Sequence, residues 1–580
     1  MDLRPHWRDR ERFVVFDADW GDGTRFAAWV QAWRADSQRP AHLHVIAIAR
    51  GELPGFRRVL QPDPAIALDL LHFLPHSASP SAPPAPIEAA LAQLAARFDA
   101  VRLHGLHELH DPEEGGSGFA RALARLLAKG AVLHADRLSA RHTAALAATG
   151  WVFDGGADAD GVQSARYASR KPFAAIAPAP DRRAIVIGAG LAGAAACERL
   201  CARGWHVTLV ERHPQAAMEA SGNLAGISMP LLSKDDNIAS RLSRAAYLFA
   251  VDYWQRLGGV GAAIEGSRCG VLLVAKDAAH AGLQRATACA RALPPWYAEW
   301  FDSDAAGARF GNLAPHGAWL FPQGGWMRPA SACQAMLDAC GARLERRFGV
   351  GSVGLERLGD EWRVCDAIGA TIAQARTVIV ANGAGANQLA PAAFLPLARV
   401  RGQVTHLAAQ AMPGLDLNRG PGLVLCREAY LTPAFNGVHS AGASYDDDDD
   451  PALRASSQQQ NLDKLRSMLG ASMRNDAPIG VDAPLRGRVG FRSVAPDRLP
   501  LVGALPDPAF VLGAERLREL PRQGGLYALL GYASRGLTWA PLAAELLAAS
   551  LEGEPLPLET GLAAALDPGR FQLRARRGQR

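Results

Sequence analysis

The stretch Ala184–Glu211, AIVIGAGLAGAAACERLCARGWHVTLVE, decides the fold. Ile185, Val186 and Ile187 form an apolar run that predicts a buried parallel strand. Gly188, Gly190 and Gly193 follow at GxGxxG spacing. An Ala/Leu-rich segment then predicts a helix, and Val207–Val210 a second strand ending at Glu211. Gly188 permits a tight turn, Gly190 lets the backbone approach a pyrophosphate, and Gly193 allows helix to pack on strand. Leu191 and Ala192 open the helix, whose unpaired N–H groups and positive dipole end suit phosphate. Glu211 is placed to accept hydrogen bonds from ribose hydroxyls. Glycines, helix, both strands and terminal acid together predict a site for FAD or NAD.

The rest of the chain fits a large enzyme. Its 580 residues, 49% hydrophobic, leave room for roughly two to four domains. No apolar stretch is long enough to span a bilayer, so no membrane association is expected. The opening MDLRPHWRDRERF lacks the apolar core of a signal peptide. The eight cysteines form no CxxC pair; Cys197 and Cys201, one helical turn apart, predict a buried helix face rather than a metal site. A reducing, cytoplasmic setting is expected. A net charge of +5 does not by itself argue for nucleic acid.

Two Pro/Ala-rich stretches, Ser77–Pro86 and Ala174–Pro180, punctuate the chain, and the second predicts an interdomain linker. Residues 1–180 hold 20 basic and 20 acidic side chains, so the whole positive excess lies downstream. Arg570, Arg574, Arg576, Arg577 and Arg580 read as a basic tail, either solvated or in contact with a phosphate backbone. Before the linker, Phe13–Phe16, His44–Ile48 and Val101–Leu103 read as strands. Trp29–Ala35, Ile87–Arg97 and Phe119–Leu127 read as helices, so a smaller parallel α/β domain is expected there. His104, His107 and His110 do not match HExxH and have no partner carboxylate placed for zinc, so no metal site is expected.

Downstream of Glu211 the motifs become specific: ASGNLAGISMPLLSKDDN (220–237), PQGGWMRPA (322–330), VRGQVTHL (400–407), YLTP (430–433), GASYD (442–446), GFRSVAPDRLPLVG (490–503) and GYASRGLTWAPLAAELLA (531–548). In this order they resemble the FAD-dependent oxidoreductase half of the MnmC family of bifunctional tRNA-modifying proteins. The resemblance implies an α/β chain. A degenerate Rossmann-like methyltransferase domain (1–173) and a linker (174–183) would precede a glycine-oxidase-like, DAO-type FAD domain (184–571), with a basic tail at 572–580. FAD-binding parts would fall at about 184–250, 325–400 and 490–560. An inserted antiparallel substrate sheet would occupy about 251–324 and 400–490.

The implied activity is FAD-dependent oxidation of 5-carboxymethylaminomethyl-2-thiouridine to 5-aminomethyl-2-thiouridine at the tRNA wobble position, with tRNA as the macromolecular partner. Ser221, Gly222, Asn223 and Gly226 would form a small-residue loop beside the cofactor, or an ordinary turn. Gly383 ends a strand that closes over FAD in this fold. Ser534, Arg535, Gly536 and Leu537 open a late helix whose N-terminus suits the flavin edge where negative charge develops. Arg492 takes the place of the carboxylate-binding arginine of related amine oxidases, the alternative being a structural ion pair. Tyr445 and Tyr430 would shape the pocket or belong to the core. The run Asp446–Asp450 reads as a solvated loop.

More faintly, residues 16–33 and 98–112 resemble the loop and strand-end motifs of an S-adenosylmethionine-dependent methyltransferase. Departures fall on contact positions: Asp19 replaces the loop's first glycine, Ala49 the ribose acid and His104 the strand-end aspartate. The chain also begins later than that family's usual N-terminus. Loss of S-adenosylmethionine binding is expected, with packing or tRNA contact left as the domain's role. Rival readings are an enzyme that keeps both activities, a small-amine oxidase of the glycine or sarcosine type, and a non-catalytic tRNA-binding protein. Oligomeric state stays open.

Overall fold

A computed structural model describes the chain except residues 74–86, 105–115, 159–160, 169–180, 412–416, 418–421, 470–484, 510–513 and 578–580. Both Pro/Ala-rich stretches therefore lie outside the described residues. Two compact units emerge, one formed by Met1–Pro180 with Ala548–Ala563, the other by Asp181–Leu547 with Ala564–Arg580.

The N-terminal unit is built on an eight-stranded sheet. Its spatial order is Gly55–Leu60, Ile66–Phe73, His42–Arg50, Arg12–Asp17, Phe98–Leu103, Leu127–Asp136, Val162–Tyr167 and Trp151–Phe153. The five strands from Ile66–Phe73 to Leu127–Asp136 run parallel, while Gly55–Leu60 and Val162–Tyr167 pair antiparallel at the flanks. Along Arg12–Asp17, Phe13 and Val15 enter one core cluster with Trp29 and Trp33, and Val14 and Phe16 another with Phe119 and Leu133. A strand covered on both faces needs an unbroken apolar run, which is why the expected strands were readable here. Two helices end sooner than their periodicity predicts. The first stops at Ala92, because the Gln93 and Ala95 carbonyls accept from Thr560 (2.7 Å) and Leu556 (3.1 Å) N–H. The second stops at Ala124, and Leu127 enters a strand. Asp69, wholly enclosed, takes two hydrogen bonds from Arg58 (2.7 and 2.8 Å) and one contact from His44 (2.6 Å); Arg58 also donates to the Pro555 carbonyl.

The second unit holds a six-stranded sheet ordered Leu344–Phe348, His206–Glu211, Arg183–Ile187, Thr377–Val380, Arg522–Leu530 and Leu501–Pro506, parallel but for the last pair. A separate eight-stranded sheet runs Glu299–Phe301, Ala318–Phe321, Val271–Val274, Val424–Cys426, Tyr430–Leu431, Val438–Gly442, Ala398–Ala408 and Arg486–Val494. It is mixed rather than purely antiparallel, since Val271–Val274 and Val424–Cys426 pair in parallel. Cys197 and Cys201 are buried on the fingerprint helix as expected, and all eight cysteines are free. The tail begins as a helix, Arg570–Arg577, in which Arg570 is buried against Asp497 (2.9 Å). Among the described residues no helix is long and apolar enough to cross a membrane.

Candidate active site

The fingerprint turn is crowded. Gly188 adopts φ +104°, and a Cβ there would lie 2.7 Å from the Asn382 Cα. A Cβ on Gly193 would collide with the Gly188 carbonyl oxygen, so the helix Leu191–Cys201 packs directly on the turn. Gly190, its N-cap, supplies no side-chain cap; the Leu191 N–H donates to Ser221 Oγ (3.1 Å). Glu211 is buried, its carboxylate oxygens accepting from Ala189 N–H (2.7 Å) and His213 N–H (2.9 Å). Backbone donors thus hold that carboxylate at the tip of the second strand.

The other expected cofactor residues gather at this turn. Ala220–Gly222 forms a short 3-10 turn, and Gly226 begins a strand paired with Gly325–Met327 of the PQGGWM motif. A Cβ on Gly226 would press on Leu537, and one on Gly536 on Leu191, so the start of the late helix Gly536–Glu552 abuts the fingerprint helix. Gly383 opens a 3-10 turn after Thr377–Val380, next to the fingerprint strand through Ala381 N–H to the Ile187 carbonyl (2.9 Å). Ser534 is exposed and Arg535 half-buried. Asn382 escaped the sequence reading: its Oδ1 is buried with no donor. A helix start whose N-cap residue has no side chain, an amide oxygen without a donor among the described residues and a backbone stripped of side chains fit a bound FAD.

On the mixed sheet, Arg492, Tyr430 and Tyr445 come together. Arg492 lies on Arg486–Val494, opposite Val400. Its Nη1 donates to the Ser444 carbonyl (3.1 Å), and its Cζ lies 5.6 Å from the Tyr445 ring centre. Gly402 makes the room, since a Cβ there would collide with the guanidinium. That signal stood in VRGQVTHL and was missed. Burial pushes the Tyr430 hydroxyl up to about 12 and holds the Arg492 guanidinium below its ordinary value. Arg535, also lowered by burial, donates to the Met229 carbonyl (3.3 Å) and feels Cys426, which pairs with Tyr430 across two strands. Among the described residues no carboxylate lies within ion-pair distance of Arg492 or Arg535. Asp446 is taken up by Arg401 (3.0 Å) and the Ser444 hydroxyl (2.6 Å).

The run Asp446–Asp450 is a partly exposed loop, as expected, but four of its five acids are ion-paired. Asp448 and Asp450 pair with Arg454 (2.8 and 2.9 Å) and Asp449 with Arg399 (3.1 Å). Counter-ions at strand positions 399 and 401 draw it against the sheet.

In the N-terminal unit the cofactor-contact positions are internally satisfied. Asp17, at the end of its strand, accepts from Arg102 (2.7 Å) and Arg25 (3.3 Å); Arg25 also pairs with Asp19 (3.1 Å) and hydrogen-bonds its carbonyl. His104 pairs with Asp136 (3.1 Å), and Ala49 is buried. His107 and His110 lie outside the described residues, among which no metal-binding cluster occurs.

The family described as FAD dependent oxidoreductase matches residues 183–550. A protein of Burkholderia thailandensis named "tRNA 5-methylaminomethyl-2-thiouridine biosynthesis bifunctional protein MnmC" is 39% identical over 635 residues, covering 100% of this chain and 93% of its own. The chain belongs to the MnmC family. The MnmC protein of Aromatoleum aromaticum is 38% identical over 614 residues, covering 99% and 92%. Among solved structures, iminodiacetate oxidase from Chelativorans sp. BNC1 aligns with TM-score 0.51 and 24% identity, over 64% of this chain and 96% of that one. Glycine oxidase from Geobacillus kaustophilus gives 0.55 and 18%, over 67% and 99%. At such identities these structures establish the DAO-type fold of the MnmC oxidoreductase half, and no more.

Proposed function

We propose that this chain oxidises the carboxymethylaminomethyl group of 5-carboxymethylaminomethyl-2-thiouridine in tRNA, releasing the carboxymethyl carbons and leaving 5-aminomethyl-2-thiouridine. The observation that carries this is the pair Arg492 and Arg535, two half-buried cations near Tyr430 and Cys426 with, among the described residues, no carboxylate in ion-pair distance. An uncompensated buried cation is costly, and a ligand carboxylate relieves it. Arg492 offers the planar fork that pairs with a carboxylate. Tyr430 stays neutral at physiological pH and orients by hydrogen bonding rather than by charge. A bound flavin supplies hydride acceptance from the carbon beside the amine. Glu211, Ser221 and the start of Leu191–Cys201 would hold its ribose and phosphates, and Gly383, Asn382 and Ser534–Leu537 would line its remaining length.

The residues of the N-terminal unit do not fit S-adenosylmethionine. Arg25 and Arg102 take up Asp17, Asp19 fills a glycine position, and position 49 offers no acid for ribose hydroxyls. Unpaired hydroxyls cost on the order of 1–3 kcal/mol each. This unit reads as a methyltransferase-like fold without its cofactor, and the chain as an oxidase working on tRNA in the cytoplasm.

Anaerobic bleaching of the flavin on adding tRNA with the carboxymethylaminomethyl group tests the oxidase reading. Bleaching by free glycine or sarcosine, and not by that tRNA, would transfer the site to the small-amine class; no bleaching by either would leave only tRNA binding. Isothermal titration with S-adenosylmethionine tests the other half, where micromolar binding would restore the bifunctional reading.

A further inference from the structure

The loop Met218–Asn223 is held from three directions. Glu219 pairs with Arg212 and with His213 (2.8 Å), anchoring one end to the segment after Glu211. Ser221 receives the Leu191 N–H at the start of the fingerprint helix. From the other sheet, Arg488 donates to the carbonyls of Met218 (2.6 Å) and Glu219 (2.5 Å) and to Asn223 Oδ1 (3.2 Å). A Cβ on Gly222 would lie 2.5 Å from the Arg488 guanidinium, so the loop is shaped around this side chain. Arg488 and Arg492 stand four residues apart on Arg486–Val494, where alternate residues share a face.

We propose that Arg488 is a positioning residue: it fixes the loop Met218–Asn223 in the shape that holds the flavin nucleotide, from the strand that also carries the substrate arginine. The proposal rests on the flavin reading above. Two carbonyl acceptors and one amide oxygen match a guanidinium fork, and charge-assisted donors at 2.5–2.6 Å are at the strong end of the range. Through Ser221 the same loop reaches the phosphate-binding helix start, so one cation couples the two binding regions.

The test is FAD affinity, measured by fluorescence titration of flavin-stripped protein. Arg488→Gln should weaken FAD binding at least about tenfold, the loss expected for charged hydrogen bonds. Arg488→Lys retains a cation with three donors and should stay within about threefold of the parent. Amide hydrogen exchange in residues 217–224 should rise in the Gln variant alone. Unchanged affinity in Arg488→Gln, or equal losses in Gln and Lys, would overturn the assignment. Parent protein that takes up no FAD would instead overturn the flavin reading beneath it.

Discussion

Replacing Arg492 by Ala separates substrate anchoring from flavin binding. The guanidinium donates to the Ser444 carbonyl and lies beside Tyr445, and its hydrogen bonds go to carbonyls of the mixed sheet rather than to the fingerprint turn. Flavin content should therefore stay at the parent level. Arg492 is half-buried and, among the described residues, has no directly paired carboxylate, Asp446 being spent on Arg401 and Ser444, so a substrate carboxylate would become its direct counter-charge. Truncating one partner of a buried, hydrogen-bonded charge pair costs about 2–5 kcal/mol. At 1.4 kcal/mol per decade that is a loss of about 30-fold to several thousand-fold in kcat/KM. Anaerobic stopped-flow reduction by modified tRNA reads it directly, with Arg492→Lys expected between parent and Ala because it keeps charge without the fork. Reduction at the parent rate in Arg492→Ala would refute the reasoning; loss of flavin would move Arg492 into the cradle.

Gly402→Ala should reproduce much of that defect with Arg492 intact, since the added methyl displaces the guanidinium; flavin content measured by absorbance should be unchanged. Tyr445, 56% exposed above Arg492, presents an aromatic face beside the anchor. Tyr445→Ala should weaken binding of a modified anticodon stem-loop about 5- to 150-fold, the value of one base stack at 1–3 kcal/mol, while Tyr445→Phe stays near the parent in a fluorescence titration. His72 gives a pH signature in the N-terminal unit, because burial lowers its imidazole to about 4. A depressed histidine leaves the folded state binding fewer protons than the unfolded chain. Stability is therefore intact above about pH 6.5 and falls by up to about 3 kcal/mol as pH drops toward 4. His72→Gln should flatten that part of the thermal-melting profile.

The cofactor half was legible because its physics is local. GxGxxG between two apolar strands, with Glu211 at the second strand's tip, describes one continuous βαβ unit, and the structure places it centrally in the six-stranded sheet. The same holds for the buried strands of the N-terminal unit. What escaped were contacts made across long separations. The Ile87 helix ends early for partners at 556 and 560, and the loop at 218–223 is held by residue 488. The ion pairs of Asp446 and Asp449 were hidden because their counter-ions, Arg401 and Arg399, belong to a distant strand. Gly402 carries no chemistry of its own, so nothing near it in the chain announced that it clears space for Arg492.

Charge compensation separates the two units in a way that bears on which site is used. In the N-terminal unit the two departures from the methyltransferase pattern that carry a polar side chain each meet a partner: Asp19 meets Arg25, and His104 meets Asp136. Such closure removes the cost of partly buried charges and lets a fold persist after its ligand contacts are gone. Around Tyr430 the reverse holds. Arg492 and Arg535, each half-buried, lean on carbonyl oxygens with no acid in ion-pair distance among the described residues, Asp446 acting on Arg492 only from farther off; on the proposed reading this leaves an anion site open. An Asp or Glu placed beside Arg492 would stabilise the fold and close the site, so a protein retained for packing alone would gain from acquiring one. On the reading proposed above, the contrast between Arg492 and Arg535 on one side and the paired Asp19 on the other favours the oxidase centre as the one in use.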